Sequence, residues 1–313
     1  MKIAVIDLGT NTFNLLIAEV IGQGKFNKIY ADRIPVKLGE GTINQGFISP
    51  EPFKRGINAL ITYKQKIDEL GVTTIKAFAT SAIRSASNGG DFIIEAAKQA
   101  GVKVETIDGD REAELIFLGV CAGADLSNEP TVIMDIGGGS TEFIITKNKQ
   151  IVWKKSYPLG ASRLLQLFKP EDPIKATTIE KFNNYLSDQL GDLHEKVAEY
   201  LPKTLIGTSG AFDSFVDMIA AVKDLPSIND KNQIYPIDLS DFKIMYHQTM
   251  QSTYEDRLQI KGLIPIRVDM IVISFLLANF ILHSCFIEDF NCCTYSLKEG
   301  ILVEFMNDIQ HQA

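Results

Sequence analysis

The sequence is short of basic residues. Its 31 Lys and Arg stand against 39 Asp and Glu, a formal net charge of −8, and no polybasic run relieves the deficit. A protein that grips nucleic acid by neutralising phosphates is normally basic. Nucleic acid is therefore excluded as the expected partner, and a polyanion has to be met locally, by backbone amides and metal ions. Cysteine is also scarce: Cys121, Cys285, Cys292 and Cys293 offer no C-x-x-C spacing. The adjacent pair cannot readily bridge to itself, so neither a disulfide framework nor a zinc site is signalled, and free thiols in a reducing cytoplasm are expected. The four histidines, His194, His247, His283 and His311, are scattered and form no H-E-x-x-H pattern, which makes them structural or surface residues. Long apolar runs are missing, with one exception. No charged residue occurs from Met270 to Ile287, which touches the ~18-residue length of a membrane span. Ser274, Asn279, His283 and Ser284 interrupt it, and Phe286-Ile287 read as the start of a strand. A buried helix followed by a core strand is expected, in a soluble protein with no membrane partner. Asp7 arrives too early for the apolar core of a secretion signal, so the expected location is the cytoplasm.

What is present is ordinary globular material. The 313 residues, 45% apolar and 22% charged, suffice for about two domains and a sizeable core. Ile3 to Asp7 predicts a strand, Leu8 to Thr12 a tight polar turn, and Phe13 to Val20 a second strand. Residues 50–70 fit a helix: Pro50 suits its first turn, Phe53, Ile57, Leu60, Ile61 and Ile67 share a face, and Gly71 stops it. A strand at 75–80 follows, then a helix near 88–100 opened by Asn88 and closed by Gly101. A strand at 102–107 and a helix at about 111–122, capped by Asp110, complete the half. Strands alternating with helices predict α/β layers.

At residue 131 the pattern restarts. Val132 to Ile145 repeats the opening segment at an offset of 128, aligning Asp7 with Asp135, Gly9 with Gly137 and Thr12 with Ser140. An internal repeat outranks any single motif. It predicts a duplicated α/β architecture, residues 1–124 and 125–313, with a cleft between the lobes. The second half continues with a strand near 151–157, a long helical region at 175–200 and a strand at 203–207. Gly207-Thr208-Ser209-Gly210 then opens another helix, and residues 224–239, rich in Pro, Asp and Asn, read as an exposed excursion. A terminal helix at about 297–313 is placed to return to the first lobe.

Each repeat ends a strand on an aspartate, then supplies glycines and hydroxyls. Glycine lets the backbone come close, successive N–H groups form an anion-binding nest, and hydroxyls add donors. Gly9, Thr10, Asn11 and Thr12 in one turn, and Gly137, Gly138, Gly139, Ser140 and Thr141 in the other, are therefore candidate phosphate ligands. Asp7 and Asp135 are candidates to hold Mg²⁺ directly or through its waters. Neither a P-loop, nor the G-x-G-x-x-G of a dinucleotide fold, nor a G-x-S-x-G nucleophile elbow is present. Ser209 and Gly210, at a helix N-terminus, are candidates for a third phosphate contact. Between the turns, Arg84 follows a strand and can clamp a phosphate. A carboxylate at 112 or 114 can orient or deprotonate a water, or else either acid simply favours the positive end of the helix dipole.

The segments Val5 to Thr12, Ala79 to Arg84, Arg111 to Ile116 and Met134 to Glu142, in this order, resemble the exopolyphosphatase/guanosine pentaphosphate phosphatase (Ppx/GppA) family of the actin-like ATPase superfamily. The resemblance runs from residue 3 to the segment Ser296 to Leu302. It implies a duplicated actin-like (ribonuclease H-like) fold and a Mg²⁺-dependent hydrolase that removes the terminal phosphate of inorganic polyphosphate. Guanosine pentaphosphate is the alternative substrate, and a non-catalytic polyphosphate or nucleotide sensor is the reading from another class. A kinase of the same superfamily is a further rival. By the same resemblance Glu112 is the catalytic base, Arg84 stands near the scissile phosphate, and Asp135 and Glu142 handle metal and water. Two departures stand out: Arg111 replaces a second acid found in many relatives, and the C-terminal helical region of longer members is missing, so a preference for shorter chains is expected. A homodimer is compatible with the sequence, which does not fix the oligomeric state.

Overall fold

The computed structural model describes residues 1–22, 25–229 and 231–312. Asp230, within the expected excursion, and Ala313, at the end of the expected terminal helix, lie outside the described residues, as does the side chain of His311. The chain opens with an antiparallel meander of β1 (Lys2–Leu8), β2 (Thr12–Gly22) and β3 (Lys25–Pro35). Helix α1 (Pro50–Glu69), strand β4 (Thr74–Ala79), helices α2 (Ser81–Ser85) and α3 (Gly89–Glu95), strand β5 (Val104–Thr106) and helix α4 (Gly109–Gly123) follow. The second lobe repeats the scheme with β6 (Thr131–Ile136), β7 (Thr141–Lys147) and β8 (Gln150–Tyr157). Then come α5 (Ala161–Phe168), α6 (Ala176–Gln189), α7 (Gly191–Tyr200), β9 (Thr204–Thr208) and α8 (Gly210–Val222). The chain ends with β10 (Ile234–Pro236), α9 (Leu239–Gln251), α10 (Tyr254–Leu258), α11 (Ile271–Ser284), β11 (Asp289–Cys293) and α12 (Leu297–Gln312).

The first sheet is ordered β3-β2-β1-β4-β5 and the second β8-β7-β6-β9-β11-β10. In each, an antiparallel three-strand meander meets parallel strands on the far side of its first member. The same order occurs twice, so the fold is the duplicated actin-like one. The duplication extends to register: Asp7 pairs across the ladder with Asn14, and Asp135 with Glu142, again 128 residues apart.

Several local expectations change. Helix α4 is capped by Asp108, whose carboxylate accepts from the Arg111 N–H at 2.7 Å; Asp110 lies inside the first turn. Asn88 stands at the N-cap of its helix as expected, but its side chain makes no capping bond there, because its amide is held by both backbone groups of Ile48. The long helical region breaks at Leu190 into α6 and α7. The last strand starts at Asp289 rather than at Phe286, which is exposed and left-handed (φ 52°). Gly207 is the fourth residue of β9, and the excursion adds the edge strand β10 to β11. Strand β3 had no counterpart in the sequence reading. Its burial pattern is that of a solvated edge strand, with polar residues interleaved among Phe26, Tyr30 and Ile34.

Each lobe has its own core, and a third apolar cluster joins them. Ile3 and Val5 of β1, Ile133 of β6, Ile144 of β7 and Ile206 of β9 meet Leu115, Ile116 and Val120 of α4 and Ile301 and Leu302 of α12. The two helices cross at Gly119 and Gly300, where a Cβ would collide with the carbonyl oxygens of Ser296 and Leu115 respectively. The uncharged run became α11, buried within the second core. Among the described residues no helix is long and apolar enough to cross a membrane.

Candidate active site

A cavity of about 530 Å³ opens between the lobes. The carboxyl ends of β1 and β6 point into it, because in both sheets the strand that leaves the meander carries its turn to the same edge. Gly9, Thr10, Asn11 and Thr12 line one side, and Gly137, Gly138, Gly139 and Ser140 the other. The turns touch. A Cβ at Gly138 would strike Asn11 and Thr10, and one at Gly139 would strike Ser81 and Thr10, so only glycine allows this approach. Asn11 also reaches across the seam, accepting from Ser162 Oγ at 2.7 Å.

Among the described residues six acids line this cavity, Asp213 and Glu299 together with Asp7, Asp135, Glu142 and Glu112. Asp7 accepts from Asn14 Nδ2 at 3.0 Å. Asp135 is buried and accepts from Ser209 Oγ at 2.6 Å and Ser296 Oγ at 2.7 Å. Burial lifts both to about 6 against these donors, and Asp135 adds to the rise at Asp7. Glu142, 2% exposed, takes hydrogen bonds from the hydroxyls of Ser156 (2.6 Å) and Ser140, yet burial and Asp135 push it to about 7. Glu112 on α4 is 7% exposed and pairs with Arg84 Nη1 at 2.8 Å. Burial raises it well above the ordinary carboxylate range, Glu142 adding to the rise and Arg84 opposing it. A carboxylate pushed toward neutrality suits a general base.

The structure separates the two acids of α4. Glu112 lines the cavity, whereas Glu114 is partly exposed and pairs with Lys154 and Arg111. Arg111 binds Glu304 of α12 as well, so the basic residue at this position ties α4 to the last helix. Two candidates stand off the cavity wall. Arg84 sits behind Glu112, its Nη1 shared with the Ile107 carbonyl at 2.9 Å. Thr141 is fully buried and donates to the Leu159 carbonyl at 2.9 Å. Ser209 and Gly210 line the cavity, and the Ser209 hydroxyl is taken by Asp135. Ser209 adopts φ 70°, ψ 179°, a costly conformation for a residue with a side chain.

Asn14, Ser156, Ser296, Lys298 and Glu299 were not among the candidates. Asn14 was findable, since it stands 128 residues before Glu142. Ser156 follows from the register of β8 on β7. Ser296, Lys298 and Glu299 reach the site only because α12 folds back between the sheets.

The donor set fits a hard cation. Asp7 and Asp135 both present carboxylate oxygens to one cavity. Among the described residues no three His, Cys, Asp or Glu converge to hold an ion on protein ligands alone. Mg²⁺ is typically held by one or two carboxylates, with water and substrate phosphates completing its shell.

A model described as the Ppx/GppA phosphatase family matches residues 16–309. A crystal structure of an exopolyphosphatase from Cytophaga hutchinsonii ATCC 33406 is 36% identical and superposes with a TM-score of 0.95 over 98% of either chain. "Exopolyphosphatase 1" of Mycobacterium leprae is 26% identical over 304 residues, covering 97% of this chain and 89% of that protein. A Photobacterium profundum protein named guanosine-5'-triphosphate,3'-diphosphate pyrophosphatase is 26% identical over 98% of this chain and 60% of its own length. By the extent of the family match and this likeness in sequence and structure, the chain belongs to the Ppx/GppA phosphatase family.

Proposed function

We propose that the protein is an exopolyphosphatase that hydrolyses the terminal anhydride of inorganic polyphosphate. The observation that carries the reading is the ion pair of buried Glu112 with half-buried Arg84, close to Glu142, at a cavity walled by two equivalent glycine turns. Water attacks the terminal phosphorus, its proton passes to a carboxylate oxygen of Glu112, and the P–O bond to the rest of the chain breaks. The products are orthophosphate and a polymer shorter by one unit. Arg84 fixes the orientation of Glu112, and the serine hydroxyls on Glu142 fix a second acid next to the water. Backbone N–H groups of residues 9–12 and 137–140 receive the phosphate oxygens, so an acidic protein needs no basic face for this polyanion. Asp7 and Asp135 are the residues that would hold Mg²⁺, which supplies neutralisation of phosphate charge when bound. Catalysis of this kind is mostly positioning and electrostatics. The likeness to the P. profundum protein carries a second reading, hydrolysis of guanosine pentaphosphate by the same groups.

Phosphate release with Mg²⁺ from long-chain polyphosphate, short-chain polyphosphate and guanosine pentaphosphate, measured side by side, tests the reading. Release is expected to be fastest from a polyphosphate. Glu112→Gln is expected to slow it by roughly 10²- to 10⁴-fold without lowering Tm. Faster release from the nucleotide installs the second reading, and near-full activity of Glu112→Gln removes that residue from the chemistry.

A further inference from the structure

The proposed reaction occupies one side of Asp135, and the sheet order says which. Glu142 lies on β7 and its partner Ser156 on β8. Glu112 joins them because the first turn of α4 packs on Ser156 through Gly109. Ser209 and Ser296, which hold Asp135 Oδ2, come from the ends of β9 and β11, on the opposite side of β6. A phosphate chain whose end lies at Glu112 and Glu142 therefore runs across Asp135 toward the start of α12. Lys298 stands there on the cavity wall.

The cations on this wall are not equivalent. Arg33 and Arg267 both face Asp213, at 3.7 and 3.5 Å, and Arg267 also donates to Ser214 Oγ at 2.7 Å. The Lys298 ammonium is paired with the residue next to it, 3.0 Å from Glu299 Oε1 and 3.2 Å from Oε2. Neighbouring positions on a helix do not face each other. Glu299 is meanwhile engaged in closing the helix start, its Oε2 accepting the Ser296 N–H at 2.9 Å. The Lys298 side chain is 24% exposed, open to the cavity. Glu299 is only 7% exposed, so stripping it of its cation would leave a buried charge unpaired. An ammonium carries three donors, and one can take a phosphate oxygen in a charge-assisted bond while the pair stays.

We propose that Lys298 is a substrate-contacting residue whose ammonium, while it keeps Glu299, donates to a phosphate unit on the leaving side of the scissile bond. The assignment rests on the polyphosphatase reading, and the test separates the two. Tripolyphosphate and orthophosphate binding are measured by calorimetry in a Glu112→Gln background, with and without Lys298→Met or Lys298→Arg. KM and kcat for tripolyphosphate are measured in the otherwise unaltered enzyme, with thermal unfolding as the check on folding. Lys298→Met is expected to weaken tripolyphosphate binding and raise KM by roughly 10- to 100-fold. The expected change in kcat is small, as for a contact made equally in ground and transition state. Orthophosphate, which need not reach this side, loses less affinity, and Lys298→Arg recovers most of the loss. Should Lys298→Met unfold, Lys298→Gln takes its place. Wild-type KM and tripolyphosphate affinity in a folded neutral variant overturn the assignment, and so does an arginine variant as impaired as the methionine one. If the unaltered enzyme releases no phosphate, the function proposed above fails, while the calorimetry still decides Lys298.

Discussion

Asp7 and Asp135 end equivalent strands, yet the chain supplies them differently: an amide from Asn14 for the first, hydroxyls of Ser209 and Ser296 for the second. Neither supply offsets burial, and Asp7 rises from an ordinary 3.8 to about 6. The sign for stability follows from proton binding. Between about pH 4 and 6 the folded protein holds this proton more tightly than the unfolded chain does. The contribution to stability is full below pH 4 and lost as pH climbs through 6. Above that, an uncompensated Asp7 costs about 3 kcal/mol. In metal-free protein, Asp7→Asn should therefore raise Tm at pH 7.5, the gap closing by pH 4. Thermal unfolding in chelator at both pH values checks this, and a gap that is constant, or wider at pH 4, contradicts it.

The elements that matter most are the two glycine turns and the α4–α12 crossing. The turns were legible because a repeated Asp-x-Gly pattern between apolar strands has few other uses. The crossing was not, since Gly119 and Gly300 are single glycines in helices and only the partner helix explains them. Gly300→Ala gains up to about 1 kcal/mol of helix propensity, yet its methyl meets the Leu115 carbonyl. Overpacking of this kind costs about 1–3 kcal/mol, so the midpoint of urea unfolding should fall. An unchanged or higher midpoint would mean that the helices separate easily. The edge strand β3 and the break at Leu190 escaped the sequence for a related reason. Periodicity reports a buried face: β3 has only a weak one, and across Leu190 the face runs on unbroken from Leu186 to Leu193 and Val197.

At the scale of the whole molecule, the lobes share an apolar layer on one side, and polar contacts cross the seam on the other. Arg163 on α5 makes several of these. It donates to the Gly139 carbonyl (3.0 Å) in its own lobe and to the Ile43 carbonyl (3.1 Å) in the other, while Asn44 Nδ2 returns a bond to the Arg163 carbonyl. A separation of the lobes at this seam would break the bonds of Arg163 with Ile43 and Asn44 and leave α4 and α12 packed. Arg163→Ala is expected to speed amide exchange across residues 39–44 and 137–140 by about tenfold, equivalent to one lost bond of about 1.4 kcal/mol. Exchange in α4 and α12 should stay at its wild-type rate. Uniform acceleration through α4 and α12 would show that Arg163 supports the joint itself, and no change that the seam is held elsewhere.

The sequence by itself determined the duplication, the two phosphate-suited turns, the placement of Asp7 and Asp135 at strand ends and that of Arg84 shortly after one. Each of these is written in local spacing, as apolar runs that stop at an acid and a flexible turn. Spacing alone left Glu112 and Glu114 equal, since both were expected in the first turn of a helix starting near residue 111, where acids favour the helix dipole. The family resemblance singled out Glu112, and the tertiary structure gave the physical reason, burying Glu112 beside Arg84 and sending Glu114 outward to Lys154. It alone brought Ser296 and Lys298 to the site, 161 residues from Asp135 in the first case, because the return of α12 between the sheets is fixed by shared apolar packing rather than by any local pattern.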